Sequence, residues 1–329
     1  MVRGMKSFAF IDLFAGIGGF HIAAASNGGN CVFASEIDAE AAKTYEANFE
    51  IKPCGDITKI GSKDIPKHDL LCAGFPCQPF SIIGSRKGFD DMRGTLFFEI
   101  VRILKDKRPP MIILENVKQL ATHDDKKTIN RILKCLDEIG YKTYWKVLNA
   151  LNYGLPQKRE RTIIVGFLDH SIEFSWPDKI KDFAPLYRLL EKKVDNRFYV
   201  SPAIKRKRMA AHKSELKVSV WHENKGGNIS SHPFSCALRA NASYNYLLVN
   251  GERRLTPREM LRLQGFPDTF KIVCSDWYAR KQAGNAVPVP MIRLVIAEML
   301  NAQAKTQGLE KKQGVKHPSA GRVPEEACL

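Results

Sequence analysis

Four short stretches hold residue types whose spacing could do chemistry. In Gly74-Phe75-Pro76-Cys77-Gln78-Pro79-Phe80-Ser81, a thiol follows a proline in a loop at the carboxyl end of an apolar run. Pro76 limits backbone freedom just before Cys77 and would fix its aim. A thiolate is a soft nucleophile suited to conjugate addition at an electron-poor ring carbon. The commoner fate of a lone cysteine is burial as a structural thiol, and Cys31 and Cys72 read that way. No local Cys/His dyad is visible, so a thiol-protease reading is poor.

The second stretch is Glu115-Asn116-Val117, directly after the apolar run MIIL. An acid there is costly to bury unless it is used or paired. It can be kept protonated and donate a hydrogen bond to a ring nitrogen; the bland alternative is a buried ion pair that orients a loop. The third is Gln157-Lys158-Arg159-Glu160-Arg161. Strand alternation puts Arg159 and Arg161 on one face, where one could hold a base oxygen and the other a phosphate. A solvated charged loop has the same composition.

The fourth is a strand holding Asp12, then the turn Phe14-Ala15-Gly16-Ile17-Gly18-Gly19 and a helix. Glu36 closes the next strand 20 residues after Gly16. Glycines let a backbone turn sharply and approach a ligand, and a carboxylate at that distance can accept both ribose hydroxyls. His21 stands where the dinucleotide fingerprint needs its third glycine, so a nucleoside cofactor without a pyrophosphate fits better than NAD. Glycine turns often simply cap helices; Glu36 and Asp56, both at strand ends, add weight to the nucleoside reading.

These stretches must be positioned by regular elements. Strands are expected at 8–13, 31–35, just before Asp56, 69–73, 111–114 and 162–167. Helices are expected from Phe20, from Asp38 to about Asn48, over 95–105 and over 126–139. Such alternation predicts a parallel sheet covered on both faces, an α/β doubly wound Rossmann-like fold. The rhythm stops after Phe167. From Asp178 to Lys225 there are 13 Lys or Arg against 6 Asp or Glu, including Lys205-Arg206-Lys207-Arg208, so this stretch reads as a second, smaller domain. Thr256-Pro257-Arg258-Glu259 has the pattern of a capping box with proline at the first helical position. A last helix is expected from about Pro290 to Ala304, with a frayed tail from about 307. The expected divisions are a catalytic, cofactor-binding domain at 1–179, a small domain at 180–256, a hinge region at 257–284 and a return to the first domain at 285–329.

The 329 residues carry 51 Lys plus Arg against 35 Asp plus Glu, a net charge of +16. Such a bias favours a polyanion, nucleic acid before an anionic membrane surface, although a basic solubilising surface would give the same sum. No run of about 18 apolar residues suggests a bilayer span, and the N-terminus lacks a signal-peptide layout. The eight cysteines are scattered without a C-x-x-C pair, which suits reduced thiols in a cytoplasm and argues against disulfides or zinc.

Taken together, the stretches closely resemble the DNA cytosine-5 methyltransferases, in particular the short bacterial enzymes of restriction–modification systems. The matching pieces are DLFAGIGGF from Asp12, Glu36, Asp56-Ile57, GFPCQPFS from Gly74, RGTLFFEI from Arg93, ENV from Glu115, QKRER from Gln157, RRLTPREMLRLQGFPD from Arg253 and GNAVP from Gly284. They stand in the family's order and cover about two-thirds of the chain; residues from about 180 to 252 correspond to its variable target-recognition region.

The resemblance implies S-adenosylmethionine as cofactor, no metal, and double-stranded DNA as partner. Phe14 is expected against the adenine, Glu36 on the ribose hydroxyls and Asp56 on the adenine amine, with Gly16, Gly18, Gly19, Ile57, Leu96, Asn285 and Val287 around the cofactor. Ile37 stands where relatives often have a tryptophan, so aliphatic contact would replace stacking. The target cytosine would be flipped out of the duplex. Cys77 would add to C6, Glu115 would hydrogen-bond N3 and supply a proton, and Arg161 would hold the O2 side. Pro76, Asn116 and Arg159 would complete the catalytic group. Ser81, Arg86, Lys205, Arg206, Lys207, Arg208 and Arg239 are expected to contact DNA, with 81–93 as a mobile loop closing over it. A cognate restriction endonuclease would share the system without a stable complex, and a monomer suffices for base flipping. Two other readings compete: the same chemistry on RNA, against which the basic small domain argues, and a non-catalytic DNA-binding protein, against which the retained Cys77 and Glu115 argue.

Overall fold

The computed structural model describes residues 7–76 and 96–313. Cys77, Ser81 and Arg86, with the expected closing loop at 81–93, lie outside the described residues, as do the residues after 313.

The apolar run at the start forms β1 (Phe8–Leu13), which passes through the glycine turn into α1 (Gly19–Ala25). Then come β2 (Gly29–Ser35) and α2 (Ala39–Phe49), whose N-cap Asp38 accepts from the amides of Glu40 and Ala41. β3 (Leu70–Gly74), α3 (Leu96–Lys107), β4 (Met111–Val117) and α4 (Lys127–Glu138) continue the alternation. β5 (Lys142–Asn149), β6 (Gln157–Lys158) and β7 (Glu160–Phe167) follow.

Six strands form one sheet in the order β2-β1-β3-β4-β7-β5. β2, β1, β3 and β4 run parallel, so their carboxyl ends share one edge. The chain steps from β1 to β2 on one side and to β3 on the other, which opens a crevice where α/β sheets place their ligands. Alternating side chains feed two cores. Phe10, Leu70, Cys72, Met111, Ile113, Ile163 and Val165 face α1, α2 and the last helix, while Leu71, Ala73, Ile112, Leu114 and Ile164 face α3 and α4. Both faces are covered, as the apolar strands require.

Three expectations are corrected. The sheet is not wholly parallel: β7 runs antiparallel to both β4 and β5. No strand precedes Asp56. Pro53 lacks an amide, Gly55 has φ 73°, and Asp56 instead caps a 3-10 turn over Ile57–Lys59. The last helix is longer than expected, running through residue 313.

The basic stretch supplies α5 (Pro202–Ala211), β8 (Val220–Glu223), β9 (Ile229–His232), β10 (Ser235–Cys236) and β11 (Leu247–Val249). β11, β8 and β9 make a small antiparallel sheet, and β10 pairs with β6. α6 (Pro257–Gln264) carries the capping box: Thr256 and Glu259 each bond the other's backbone amide. α7 (Asp276–Asn285) and α8 (Val289–Gln313) close the described chain. Part of this last region is apolar enough to cross a membrane, but that window is 67% buried within the protein, as a core helix is.

Candidate active site

A cavity of about 760 Å³ opens at the carboxyl edge of the parallel strands. Its volume is in the range of roughly 300–1,000 Å³ usual for small-molecule sites. One half is built by the glycine turn. Phe14 takes a left-handed φ of 55° at the end of β1, a conformation a bulky residue holds only where its surroundings fix it. Gly18 has φ 85°, and a Cβ there would collide with the Phe49 ring; a Cβ on Gly19 would stand 2.7 Å from Val287. The two glycines therefore let α1 lie tightly against α2 and against the Asn285-Ala286-Val287 segment.

Glu36 closes this half. Its Oε2 accepts from the Gly16 amide at 2.7 Å and its Oε1 from the Asp38 amide at 2.8 Å. The carboxylate thus ties the turn after β1 to the start of α2, and each oxygen retains a lone pair. Asp38 in turn pairs with Lys281 of α7 at 2.6 Å. Asp56 engages Thr58 through Oδ1 alone, and these bonds hold its carboxyl below the usual range.

Phe14, Gly16, Gly19, Glu36 and Ile37 line this half of the cavity, with Asp56, Ile57, Leu96, Asn285 and Val287. Gly18 acts through packing and does not line it. Ser35 is 1% exposed, lines the cavity, and its hydroxyl has no partner. An orphaned buried hydroxyl, open carboxylate oxygens and an apolar wall suit a polar nucleoside, so the residues present fit S-adenosylmethionine.

Burial is the main cause raising the Glu36 carboxyl above its ordinary range, partly offset by the Asp38 and Gly16 amides. Accepting from two hydroxyls needs the ionised form. Cofactor affinity is therefore expected to weaken on acidification, and at a higher pH than an ordinary glutamate near 4.3 would dictate. For folding the sign is opposite: a carboxyl raised in the folded state favours the fold at low pH, and that contribution is lost as pH rises through its folded value. Glu36→Gln should lower affinity at neutral pH by at least about 10-fold, the scale of a hydrogen bond to a charged group, and flatten the pH dependence. Titration calorimetry of both proteins checks this; a wild-type affinity that stays level on acidification would remove Glu36 from ligand binding.

The other half of the cavity is lined by Glu115, Asn116, Arg159 and Arg161. On β4, Glu115 shares a face with Met111 and Ile113; on β7, Arg161 shares that face with Ile163 and Val165. Glu115 sits opposite Ile163, so Arg161 is its diagonal neighbour. Arg161 Nε lies 2.7 Å from Glu115 Oε1, with the two side chains 13% and 10% exposed. Asn116 points to the other side of the strand. Its amide donates to the Phe75 carbonyl at 3.0 Å and its oxygen accepts from the Val117 amide. The chain is thereby held one residue before Pro76, which also lines the cavity.

A family model described as C-5 cytosine-specific DNA methylase matches residues 8–301. The chain belongs to this family. Type II methyltransferase M.NgoBI of Neisseria gonorrhoeae is 53% identical over 304 residues, covering 91% of this chain and 96% of that protein. M.HaeII of Haemophilus aegyptius is 52% identical over 301 residues, covering 91% and 94%. Among solved structures, Entamoeba histolytica EhMeth superposes with a TM-score of 0.70 at 17% identity, covering 90% of this chain and 98% of that one. Spodoptera frugiperda DNMT2 gives 0.69 at 20%, covering 88% and 99%. At these identities the structural likeness speaks for the fold. As a C-5 cytosine-specific DNA methylase, the chain uses S-adenosylmethionine to methylate cytosine in DNA at C5.

Two arginines of the methylase have partners other than those expected. Arg159 is 1% exposed and donates to the carbonyls of Leu238, Gly284 and Ala286, each at 2.8 Å. Three of its five hydrogens are thus taken by backbone carbonyls and its Nε is buried without a partner, so it acts as a clamp between segments. Arg208 is buried at 3%, bonded to Glu223 and to the Asn245 carbonyl, and this removes it from the expected phosphate contacts. Lys205, Arg206 and Lys207 are exposed on α5, and Lys205 pairs with Glu252. Arg239 reaches the cavity rim. His21, in the place of the third glycine, stacks on Phe49 at 3.9 Å and meets the Tyr45 hydroxyl at 2.7 Å; burial pushes its imidazole down to about 4. It is a neutral packing residue.

No local pattern in the sequence marks the polar knot beneath the cavity. Gln157 is fully buried, donates to the Leu263 carbonyl and accepts from the Leu238 amide. In the sequence Asp12 is one residue of an apolar strand. It is fully buried with neither oxygen hydrogen-bonded, and desolvation pushes its carboxyl well above the usual range. The run of apolar residues around it is the only signal that could have flagged it.

Proposed function

We propose that this methylase acts on duplex DNA by flipping its target cytosine into the Glu115–Arg161 half of the cavity and attacking it with Cys77, and that it works as a monomer in the cytoplasm, protecting host DNA from a cognate endonuclease. The observation that carries the reading is the diagonal Glu115–Arg161 pair, set in the same cavity as the nucleoside-fitting glycine turn. A pyrimidine presents an acceptor nitrogen and a carbonyl oxygen side by side, and this pair offers a carboxyl and a guanidinium side by side.

The Cys77 thiolate forms an S–C6 bond. Glu115 delivers a proton to N3, and the ring electron pair comes to rest as an enamine with C5 nucleophilic. Arg161 holds the O2 side. S-adenosylmethionine, when bound, supplies the methyl as an electrophilic sulfonium substituent. C5 bonds to the methyl carbon as the methyl–sulfur bond breaks, its electron pair leaving on the neutral thioether. Water takes the C5 proton, the C6–S bond breaks to give back the Cys77 thiolate, and N3 returns its proton to Glu115, which restores the aromatic ring. Asn116 keeps the chain entering Pro76 in place through the Phe75 carbonyl. We read residues 180–256 as the target-recognition domain, with 1–179 and 285–329 as the catalytic part and 257–284 as the hinge region between them.

Duplex DNA offered with radiolabelled S-adenosylmethionine should take up label, and nuclease digestion with mass spectrometry should find it in 5-methylcytosine. Label in tRNA and none in DNA would transfer the chemistry to RNA. Label in neither would leave only a binding protein.

A further inference from the structure

We propose that Arg239 is a specificity-determining residue that reads a guanine adjoining the target cytosine; the proposal rests on the duplex-DNA reading above. Three observations carry it: a loop held rigid, its position at the cavity rim, and a guanidinium fork left open there.

The loop between β10 and β11 has no regular structure, yet its backbone is fastened from several directions. Leu238 is gripped by Gln157 at its amide and by Arg159 at its carbonyl. The Tyr246 hydroxyl accepts from the Arg239 amide at 2.9 Å and donates to the Ala237 carbonyl. Arg280 of α7 donates to the carbonyls of Ala242 and Ser243. Arg254 donates to the Asn245 side chain at 2.8 Å, and Arg208 to the Asn245 carbonyl at 2.7 Å. Arg280 and Arg254 also clasp the Tyr244 ring at 4.7 and 4.8 Å. The loop meets α7 so closely that a Cβ on Gly284 would lie 2.7 Å from the Arg239 carbonyl carbon. Such fixation removes the ordering cost that a mobile reading loop would have on binding DNA.

This loop brings Arg239 to the rim of the cavity that holds Glu115 and Arg161. Arg159, Arg208, Arg254 and Arg280 commit their forks to partners inside the protein, and Arg161 is held by Glu115 through Nε. Arg239 is exposed, and among the described residues its guanidinium has no carboxylate or carbonyl partner. It lies 4.7 Å over the Tyr246 ring, whose own position is fixed by the two hydrogen bonds above. A planar fork oriented on a fixed ring, at the mouth of a pocket for an extruded base, matches the O6 and N7 acceptors of guanine in the major groove. A phosphate could use the same charge without needing the same plane.

The test uses the full chain, the variants Arg239→Ala and Arg239→Lys, and duplexes randomised around a cytosine, with methylated products read by sequencing at several salt concentrations. The wild type should require guanine at one position beside the methylated cytosine. Both variants should relax that requirement by about 10–100-fold, the scale of a bidentate base contact. The lysine variant keeps the charge and should keep the salt slope, yet still lose the discrimination. A uniform loss over all sequences with a shallower salt slope in Arg239→Ala would make Arg239 a phosphate contact and overturn the proposal. Unchanged preference in both variants would overturn it too. No 5-methylcytosine from the wild type would instead strike the duplex-DNA reading, and this proposal with it.

Discussion

Replacing Cys77 with serine will abolish methyl transfer, lowering turnover by at least about 1,000-fold, the scale on which loss of a nucleophile acts, while S-adenosylmethionine still binds. A serine hydroxyl is a far weaker nucleophile than a thiolate at neutral pH, and no base is positioned for it by any motif near position 77. The described residues leading to it argue for a fixed approach. Phe75 is buried, packs against Phe97 with ring centroids 5.8 Å apart, and its carbonyl is held by Asn116. The cofactor half of the cavity depends on Gly16, Glu36 and the Val287 segment, none of which requires the thiol. Binding and chemistry should therefore separate cleanly, with calorimetry reading the first and labelled product the second. DNA carrying 5-fluorocytosine gives an independent check, because fluorine at C5 cannot leave as a proton does and the adduct should persist. A wild-type protein that forms no such conjugate, or a serine variant that turns over at near-normal rate, would remove Cys77 from the reaction.

What could be read from the sequence follows from the range of the forces involved. β1, β3 and β4 are short apolar runs ending in special residues, and the α6 capping box is contained within Thr256–Glu259; both are local. The doubly wound order is a consequence of such runs alternating with helices. β5 escaped because it lies at the sheet edge, where most of its residues are only partly buried and no continuous apolar run marks it. The register that sets Arg161 diagonal to Glu115 is the antiparallel one between β4 and β7, and the apolar run of each strand does not report its direction. Arg159 shows the opposite case. In sequence it is one more cation in a charged run, but its three carbonyl partners lie 79, 125 and 127 residues away. No local pattern reports such a partner set. Arg208 is the same kind of case, since Glu223 and Asn245 take it out of the basic cluster.

Glu115→Gln should cut turnover by at least about 100-fold, the usual scale for a positioned acid–base group. Glutamine has nearly the same shape and keeps an oxygen toward Arg161, so the geometry of the diagonal pair survives. What disappears is the capacity to move a proton to N3, together with the charge that partners the guanidinium. Removing one member of a buried ion pair costs about 3–5 kcal/mol when nothing replaces it; the retained amide oxygen and the open cavity should keep the cost below that. The two contributions can be told apart by adding Arg161→Ala. If the carboxyl serves only to hold Arg161, the double variant will be no slower than Arg161→Ala alone, since the partner it supported is already gone. If it delivers the proton, Glu115→Gln will impose a further large loss even without Arg161. The loss should fall on kcat more than on the KM for S-adenosylmethionine, whose half of the cavity is bounded by Glu36 and the glycine turn rather than by this pair. An unchanged rate in Glu115→Gln would reduce Glu115 to a structural carboxylate. The chemistry would then need another proton donor to N3, and among the described residues lining the cavity Glu115 is the only carboxyl beside Arg161 on β4 or β7.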